Sequence, residues 1–325
     1  FYFYQRGHAP LVYDASTSAL TTIAAHAGAG GTAPQGNVCL AAFGRIWAAD
    51  VTGNKHTLYY SDLLDGVDFG GGSSGSLDLT TVWPGGFDQF VSLIAHNDFL
   101  IILGKRSILL YSGAGTPSTM ALADTILNIG CVSRDSVQST GQDILFLDYS
   151  GVRSLARTVQ EKSAPIGDIS KNVNNDIKTR VQAETGNIKT IYDPQNAFLL
   201  INFPSVGVVY CFDTRYPLQN GSYRATTWTA MNPLCFTVTD ADELYIGVAT
   251  GIAKYDSYTD NAASYDLQYF SHPLSFGDSS RLKFLKGVNI TTFAGAGATV
   301  VLNWAYDYSG DYQKQAYTLS AFSAG

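Results

Sequence analysis

The 325-residue chain carries 20 Lys+Arg against 27 Asp+Glu, a net charge of −7, with 46% hydrophobic and only 14% charged residues. That balance excludes a generally disordered chain and a strongly basic nucleic-acid binder. No apolar run approaches the roughly 18 residues of a membrane-spanning helix. Aromatics at 13%, with 20 Tyr and 32 Gly, suit a β-rich protein whose surface is partly hidden in an assembly.

Along the chain, Phe1-Tyr2-Phe3-Tyr4 is strand-like and pairs with Leu11-Val12-Tyr13-Asp14. With no initiator Met, no signal peptide and a loose Ser-Ala-Gly ending, the chain reads as a piece of a longer polypeptide. The stretch from Ala24 to Gly36 and the run Gly70 to Ser76 read as flexible loops. A repeated unit then dominates: a polar turn residue, a short apolar strand, a turn, and a second strand with a large apolar residue. Arg45-Ile46-Trp47-Ala48 leads to Thr57–Tyr60, Asp98–Leu103 to Ile108–Tyr111, and Asp143–Leu147 to Val152–Leu155. Asn196–Ile201 leads to Val208–Phe212, and Glu243–Gly247 to Ile252–Asp256.

The anchors at 45, 98, 143, 196 and 243 recur with a period in the forties to fifties, and one step back lands on Phe1. That period with short paired strands is the signature of a β-propeller, here all-β with about six blades; a β-sandwich array is the alternative. The strands starting at Ile46, Phe99, Ile144, Phe198 and Leu244 are expected at equivalent places in successive blades. One segment breaks the pattern: Ile169, Val173, Ile177 and Val181 recur every four residues between Asp168 and Glu184. It predicts one inserted inter-blade helix, capped by Asp168 or Ser170 and ended by Gly186. After about residue 275 the texture changes. Arg281–Ile290 and Thr299–Tyr308 read as a closing strand and a further β element. The expected division is a propeller over 1–275 and a C-terminal β segment over 276–325.

The chemistry-bearing residues do not assemble a site. Gly71-Gly72-Ser73-Ser74-Gly75 matches GxSxG, but no hydrophobic strand leads into Ser73 and no helix follows it, so it reads as a loop. Gly28-Ala29-Gly30-Gly31-Thr32-Ala33 mimics a dinucleotide fingerprint, yet Pro34 and Gly36 forbid the helix that would hold phosphates. His8, His26, His56, His96 and His272 form no pair with metal-ligand spacing. Asp240 with Asp242, and Asp307 with Asp311, fall short of a calcium loop and read as turn residues. Asn220-Gly221-Ser222 and Asn289-Ile290-Thr291 fit the glycosylation sequon without a secretory context. Lys171, Lys178 and Arg180, and Arg281, Lys283 and Lys286, read as solvated faces or subunit contacts. Cys39, Cys131, Cys211 and Cys235 lack Cys-x-x-Cys spacing and read as buried free thiols, as expected for folding in a reducing cytoplasm. No catalytic, cofactor or metal residue is assigned, and no enzyme activity or cofactor is expected.

Four stretches carry a resemblance. Gly44-Arg45-Ile46-Trp47 with Leu58–Phe69, Phe90–Ile108, Ile144–Leu155 with the helix near Ile169-Ser170, and Cys211-Phe212-Asp213-Thr214-Arg215 with Trp228 downstream are similar to the tail tubular protein B, or nozzle (hub), family of short-tailed phages. The resemblance covers residues 40 to about 260. It implies a propeller-based structural virion subunit, a homo-hexameric ring below the portal and adaptor, contacting tail fibres or other tail proteins. Double-stranded DNA would pass transiently through its lumen. The chain would be assembled in the host cytoplasm and reside in the virion tail, with no catalytic residues to carry over. Six copies would sum to about −42, so the lumen is expected to be acidic or neutral, with Lys and Arg on subunit or outer faces. The alternative is a propeller binding module for a host surface glycan or protein.

Overall fold

The computed structural model describes residues 1–83, 86, 88–161, 169–229, 231–256, 265–277, 282–284, 286–287, 289, 299–306, 309 and 312–318. The chain divides into two compact units, Phe1–Asp256 and Ser257–Gly325. The boundary at Asp256 precedes the expected one at 275, because the sixth sheet ends at Lys254 and the next described residues, from Tyr265 to Gly277, carry no strand.

Among the described residues, unit 1 holds six antiparallel sheets, each a meander of consecutive strands. The first is β1 (Tyr2–Phe3), β2 (Leu11–Asp14) and β3 (Ala19–Thr22); the second is β4 (Val38–Ala42), β5 (Arg45–Ala49), β6 (Thr57–Tyr60) and β7 (Gly75–Asp78). The third is β8 (Phe90–His96), β9 (Phe99–Gly104), β10 (Ser107–Ser112) and β11 (Ala121–Leu127). The fourth is β12 (Val137–Ser139), β13 (Ile144–Asp148) and β14 (Gly151–Ser154), followed by α1 (Leu155–Glu161) and α2 (Asn174–Ala183). The fifth is β15 (Lys189–Asp193), β16 (Phe198–Phe203), β17 (Val208–Asp213) and β18 (Arg224–Thr229). The sixth is β19 (Cys235–Val238), β20 (Leu244–Val248) and β21 (Gly251–Lys254).

The packing of these sheets is that of a propeller. The five first strands β4, β8, β12, β15 and β19 touch in succession. Sheets two to five are also packed between their neighbours, which shows in the parity of their second strands. Leu100 and Ile102 of β9 join Trp47 and Leu58 of the second sheet, whereas Ile101 and Leu103 join Ile144 and Phe146 of the fourth. Leu145 and Leu147 then join Leu199 and Ile201, and Leu200 joins Leu244 and Ile246. A strand buried on both faces loses the polar alternation of a half-exposed one. This accounts for the runs FLIILG and ILFLD. A two-layer sandwich would not divide the odd and even residues of these four second strands between different neighbours. The strands predicted to be equivalent are the second strands of sheets two to six.

Hairpin turns carry the needed left-handed residues. Asn97-Asp98 joins His96 to Phe99 with φ of +46° and +62°. Phe43-Gly44 joins β4 to β5 with +54° and +69°. Two-residue turns of this kind match strand twist.

The predicted helix is α2, shorter than expected. Ile177 and Val181 enter the core between the fourth and fifth sheets, but Lys171–Val173 is a 3-10 turn. Ser170 does not cap it: its Oγ accepts the Val152 N–H at 2.9 Å and donates to Asn174 Oδ1 at 2.9 Å. Asp168 lies outside the described residues, and the helix stops at Ala183, before Gly186. A second helix, α1, begins at Leu155, which the sequence pattern placed in a strand. Ser154 Oγ accepts the Arg157 N–H at 3.2 Å and Asp143 Oδ1 accepts the Ala156 N–H at 3.0 Å, so the first turn is capped from two sides.

The glycine-rich stretches are packed rather than free. Phe69 N–H donates to Gly30 O at 2.8 Å. A Cβ on Gly70 would lie 2.5 Å from Gly31 Cα, so two backbones cross where no side chain fits. Cys131 and Cys211 are buried free thiols, their pKa values pushed up to about 12 by burial. Cys39 and Cys235 are free but exposed, contrary to expectation, because they sit on first strands whose outward residues face away from the core.

In unit 2, β22 (Thr299–Trp304) pairs with β23 (Gln313–Thr318). The expected β element at Thr299 is this hairpin's first strand. Of the expected closing strand at 281–290, Leu282–Phe284, Lys286, Gly287 and Asn289 carry no strand, and the other four residues lie outside the described residues. Among the described residues, no helix is long and apolar enough to cross a membrane.

Candidate functional site

The most elaborate polar cluster in unit 1 lies where the first strands begin. Arg134 precedes β12 and reaches back to the second sheet: its Nη1 donates to Asn37 O at 2.9 Å and Asn37 Oδ1 at 3.2 Å. The same guanidinium grips Asp135 with Nε to Oδ1 at 2.8 Å and Nη2 to Oδ2 at 3.1 Å. Lys189, the first residue of β15, also pairs with Asp135. Two further bonds continue the clamp: the Thr190 main-chain N–H donates to Asp135 O at 3.0 Å, and the Gln138 side-chain Nε2 donates to Thr190 O at 2.9 Å. Ser92 of β8 donates to Arg134 O at 2.9 Å. Four successive sheets are tied at this mouth.

Burial opposes ionisation of Asp135, but the Arg134 and Lys189 hydrogen bonds and charges outweigh it and hold its carboxyl below the usual range. The Asp135 bond raises the Arg134 pKa in turn. Both Asp135 oxygens are occupied by protein cations, so the cluster acts as a clamp, with neither a poised base nor an open anion site. It was not legible in the sequence, where Arg134-Asp135 is an ordinary charged pair and Lys189 lies more than fifty residues away.

Other polar groups are also consumed by the fold. Asp88, 5% exposed, accepts N–H bonds from Lys105 at 2.8 Å and Arg106 at 3.0 Å and the Ser107 hydroxyl at 2.5 Å. Ser73 sits in the loop between β6 and β7, donating to Asp62 Oδ1 at 2.8 Å and accepting Arg45 Nη2 at 2.7 Å. Its partners are a carboxylate and a guanidinium, and neither a strand–turn–helix frame nor an imidazole contact accompanies them. Gly28–Ala33 opens no helix.

His26 Nδ1 lies 2.8 Å from Ala27 O, His96 ends β8, and His56 Nδ1 is buried without a partner. Among the described residues, no group of three His, Cys, Asp or Glu gathers to hold a metal. Asp242 occupies a turn with φ +59°, while Asp307 and Asp311 lie outside the described residues. Asn220 spends its amide on Asn172 and its carbonyl on Ser222. Arg180 pairs with Asp176 at 3.5 Å, and Tyr210 donates to the same carboxylate, so that part of the helix face is a docking contact. Lys283 bonds Ser275 O, and Arg281 lies outside the described residues.

No protein-family model and no curated protein matches the sequence. Among solved structures, a streptogramin B lyase aligns over 80% of this chain and 80% of its own, at 12% identity and TM-score 0.44. An auxiliary nutrient-binding protein from Bacteroides ovatus aligns over 67% of this chain and 56% of its own, at 10% identity and TM-score 0.36. The Pan2 WD40 domain of Neurospora crassa aligns over 62% and 56%, at 10% identity and TM-score 0.35. At TM-scores below 0.5 these likenesses decide nothing about function; the sheet order and the packing of the first strands establish the fold.

Proposed function

We propose that this chain is a structural subunit of the tail of a short-tailed phage, a nozzle-type propeller that forms part of the DNA-ejection conduit. The observation that carries this reading is the placement of the resembling stretches. Residues 44–47 and 58–69 fall on β5 and β6 of the second sheet, 90–108 on β8 and β9 of the third, and 144–155 on β13 and β14 of the fourth. Residues 211–215 close β17 of the fifth, with Trp228 beside it on β18. The similarity thus tracks successive blades in order. The mouth clamp, whose charges are used up between sheets, supports a scaffold role.

In this reading the chain acts without catalysis as a homo-hexamer in the virion, against an adaptor and other tail proteins, with duplex DNA passing through the lumen. Duplex-DNA binding near physiological salt tests the conduit. Weak binding is expected, because each neutralised phosphate would add salt-sensitive grip. Submicromolar binding with a steep salt slope would overturn it. A second reading, a binding module for a surface glycan, is favoured by an open cleft lined by Phe1, Tyr2, Tyr13, Asp14 and Asp65. Glycan binding lost on Tyr13→Ala would select it.

A further inference from the structure

The cleft beside the first sheet carries a one-sided set of polar groups. It encloses about 560 Å³ between β1, β2 and the loop that joins β6 to β7. That volume is in the range of small-ligand sites. Phe1, Tyr2 and Tyr13 supply its aromatic wall. The Phe1 and Tyr13 rings lie 6.1 Å apart at a tilt of 40°, and Phe1 is 77% exposed. The Tyr2 hydroxyl lies over Gly66, where no side chain would fit beneath it.

The polar lining is built of acceptors. Asp65 Oδ1 accepts the Val67 N–H at 3.0 Å, while Oδ2 takes no hydrogen bond among the described residues. Asp14 also lines the cleft, and hydrogen bonds from Ser16 hold its carboxyl below the usual range. Burial, and then the charge of Asp65, raise the Tyr2 pKa, so Tyr2 stays a neutral hydroxyl. His26 Nδ1 lies 2.8 Å from Ala27 O. A carbonyl only accepts, so Nδ1 carries the proton and Nε2 of the neutral ring is an acceptor. The Phe1 main-chain nitrogen is spent on Tyr13 O at 2.9 Å, and no Lys or Arg lines the cleft. Such a surface favours a ligand rich in donors. A cationic donor gains twice, through a charge-assisted bond to a carboxylate and through the negative faces of the rings. An acidic ligand meets two carboxylates with no cation to offset them.

We infer that this cleft binds a hexosamine with an unacetylated amino group, its ammonium at Asp65 and its ring against Phe1 and Tyr13. The site rests on the glycan-binding reading above and names its ligand class; it takes nothing from the tail assignment. The test is calorimetric titration of the full chain at neutral pH with glucosamine, glucose, N-acetylglucosamine and glucuronate. Glucosamine should bind at least about tenfold more tightly than glucose or N-acetylglucosamine, the margin of one charge-assisted bond, and glucuronate should bind weakest. Asp65→Asn keeps an acceptor for the Val67 N–H and removes the charge. It should bring glucosamine down to the level of glucose, with near-ultraviolet circular dichroism unchanged.

Equal affinity for the four sugars, tightest binding of glucuronate, or an amine preference that survives in Asp65→Asn would each overturn the ligand class and leave a glycan-binding cleft standing. Absence of binding by any of the four at millimolar sugar would overturn the site and the glycan reading together, with the tail assignment untouched.

Discussion

The third and first sheets of the propeller unit are built from the same kind of hairpin and differ in their fate. In the third, β9 and β10 lie between two neighbouring sheets, and their residues from Leu100 to Leu110 are almost all buried. In the first, β1 is exposed along its length, and Leu20 of β3 is 57% exposed. Stability concentrates in the middle strands, where each side chain meets a neighbouring blade. The terminal sheet retains hydrogen-bonding capacity and apolar surface. Strength and availability for contact are thus separated along the repeat.

The contrast breaks most sharply by truncating the middle strands. Leu100→Ala or Phe146→Ala should each cost about 2 to 5 kcal/mol in urea unfolding, since both side chains are essentially buried. Leu20→Ala should stay within about 0.5 kcal/mol. Equal costs at the two places would erase the distinction.

Asp88 probes the polar side of the same sheet. Asp88→Ala leaves the buried N–H groups and Ser107 hydroxyl that it serves unpaired, and about 2 to 3 kcal/mol should be lost in the same assay.

The mouth clamp sharpens the comparison through pH. Asp135 has a folded pKa below its ordinary 3.8, so its contribution is full above that value and fades as pH falls through the lower folded one. Urea midpoints should decline from pH 5 toward pH 2, and Asp135→Asn should flatten part of that decline. An unchanged slope would mean that the Arg134 and Lys189 pairs contribute nothing to folding.

Ser73→Ala should have the smallest effect. It removes the bonds to Asp62 and Arg45 and should cost about 1 kcal/mol. Any esterase or peptidase turnover of the purified chain should be unaffected; its abolition would make Ser73 a nucleophile and overturn the loop reading.

How far the sequence revealed this follows from burial. Second and third strands such as FLIILG and VVYCFD are buried on both faces and stand out as apolar runs. First and fourth strands such as VQS, GSLD and RATTWT are short or half-exposed and carry no comparable signal. The seven residues of α1 are too few for a helical stripe, and their caps come from Ser154 and distant Asp143. The packed crossing of Gly31 on Gly70 looked like two flexible loops, because each glycine's requirement is set by the other backbone. The Arg134–Asp135–Lys189 clamp, with Asn37 and Ser92 beside it, needs four sheets brought together before it exists.

The most direct test of the tail assignment is imaging of intact virions with the chain located in the density. The account predicts six copies in a closed ring around the DNA path, each with six blades. A virion without the chain, or single copies at the outer tips of fibres, would contradict it.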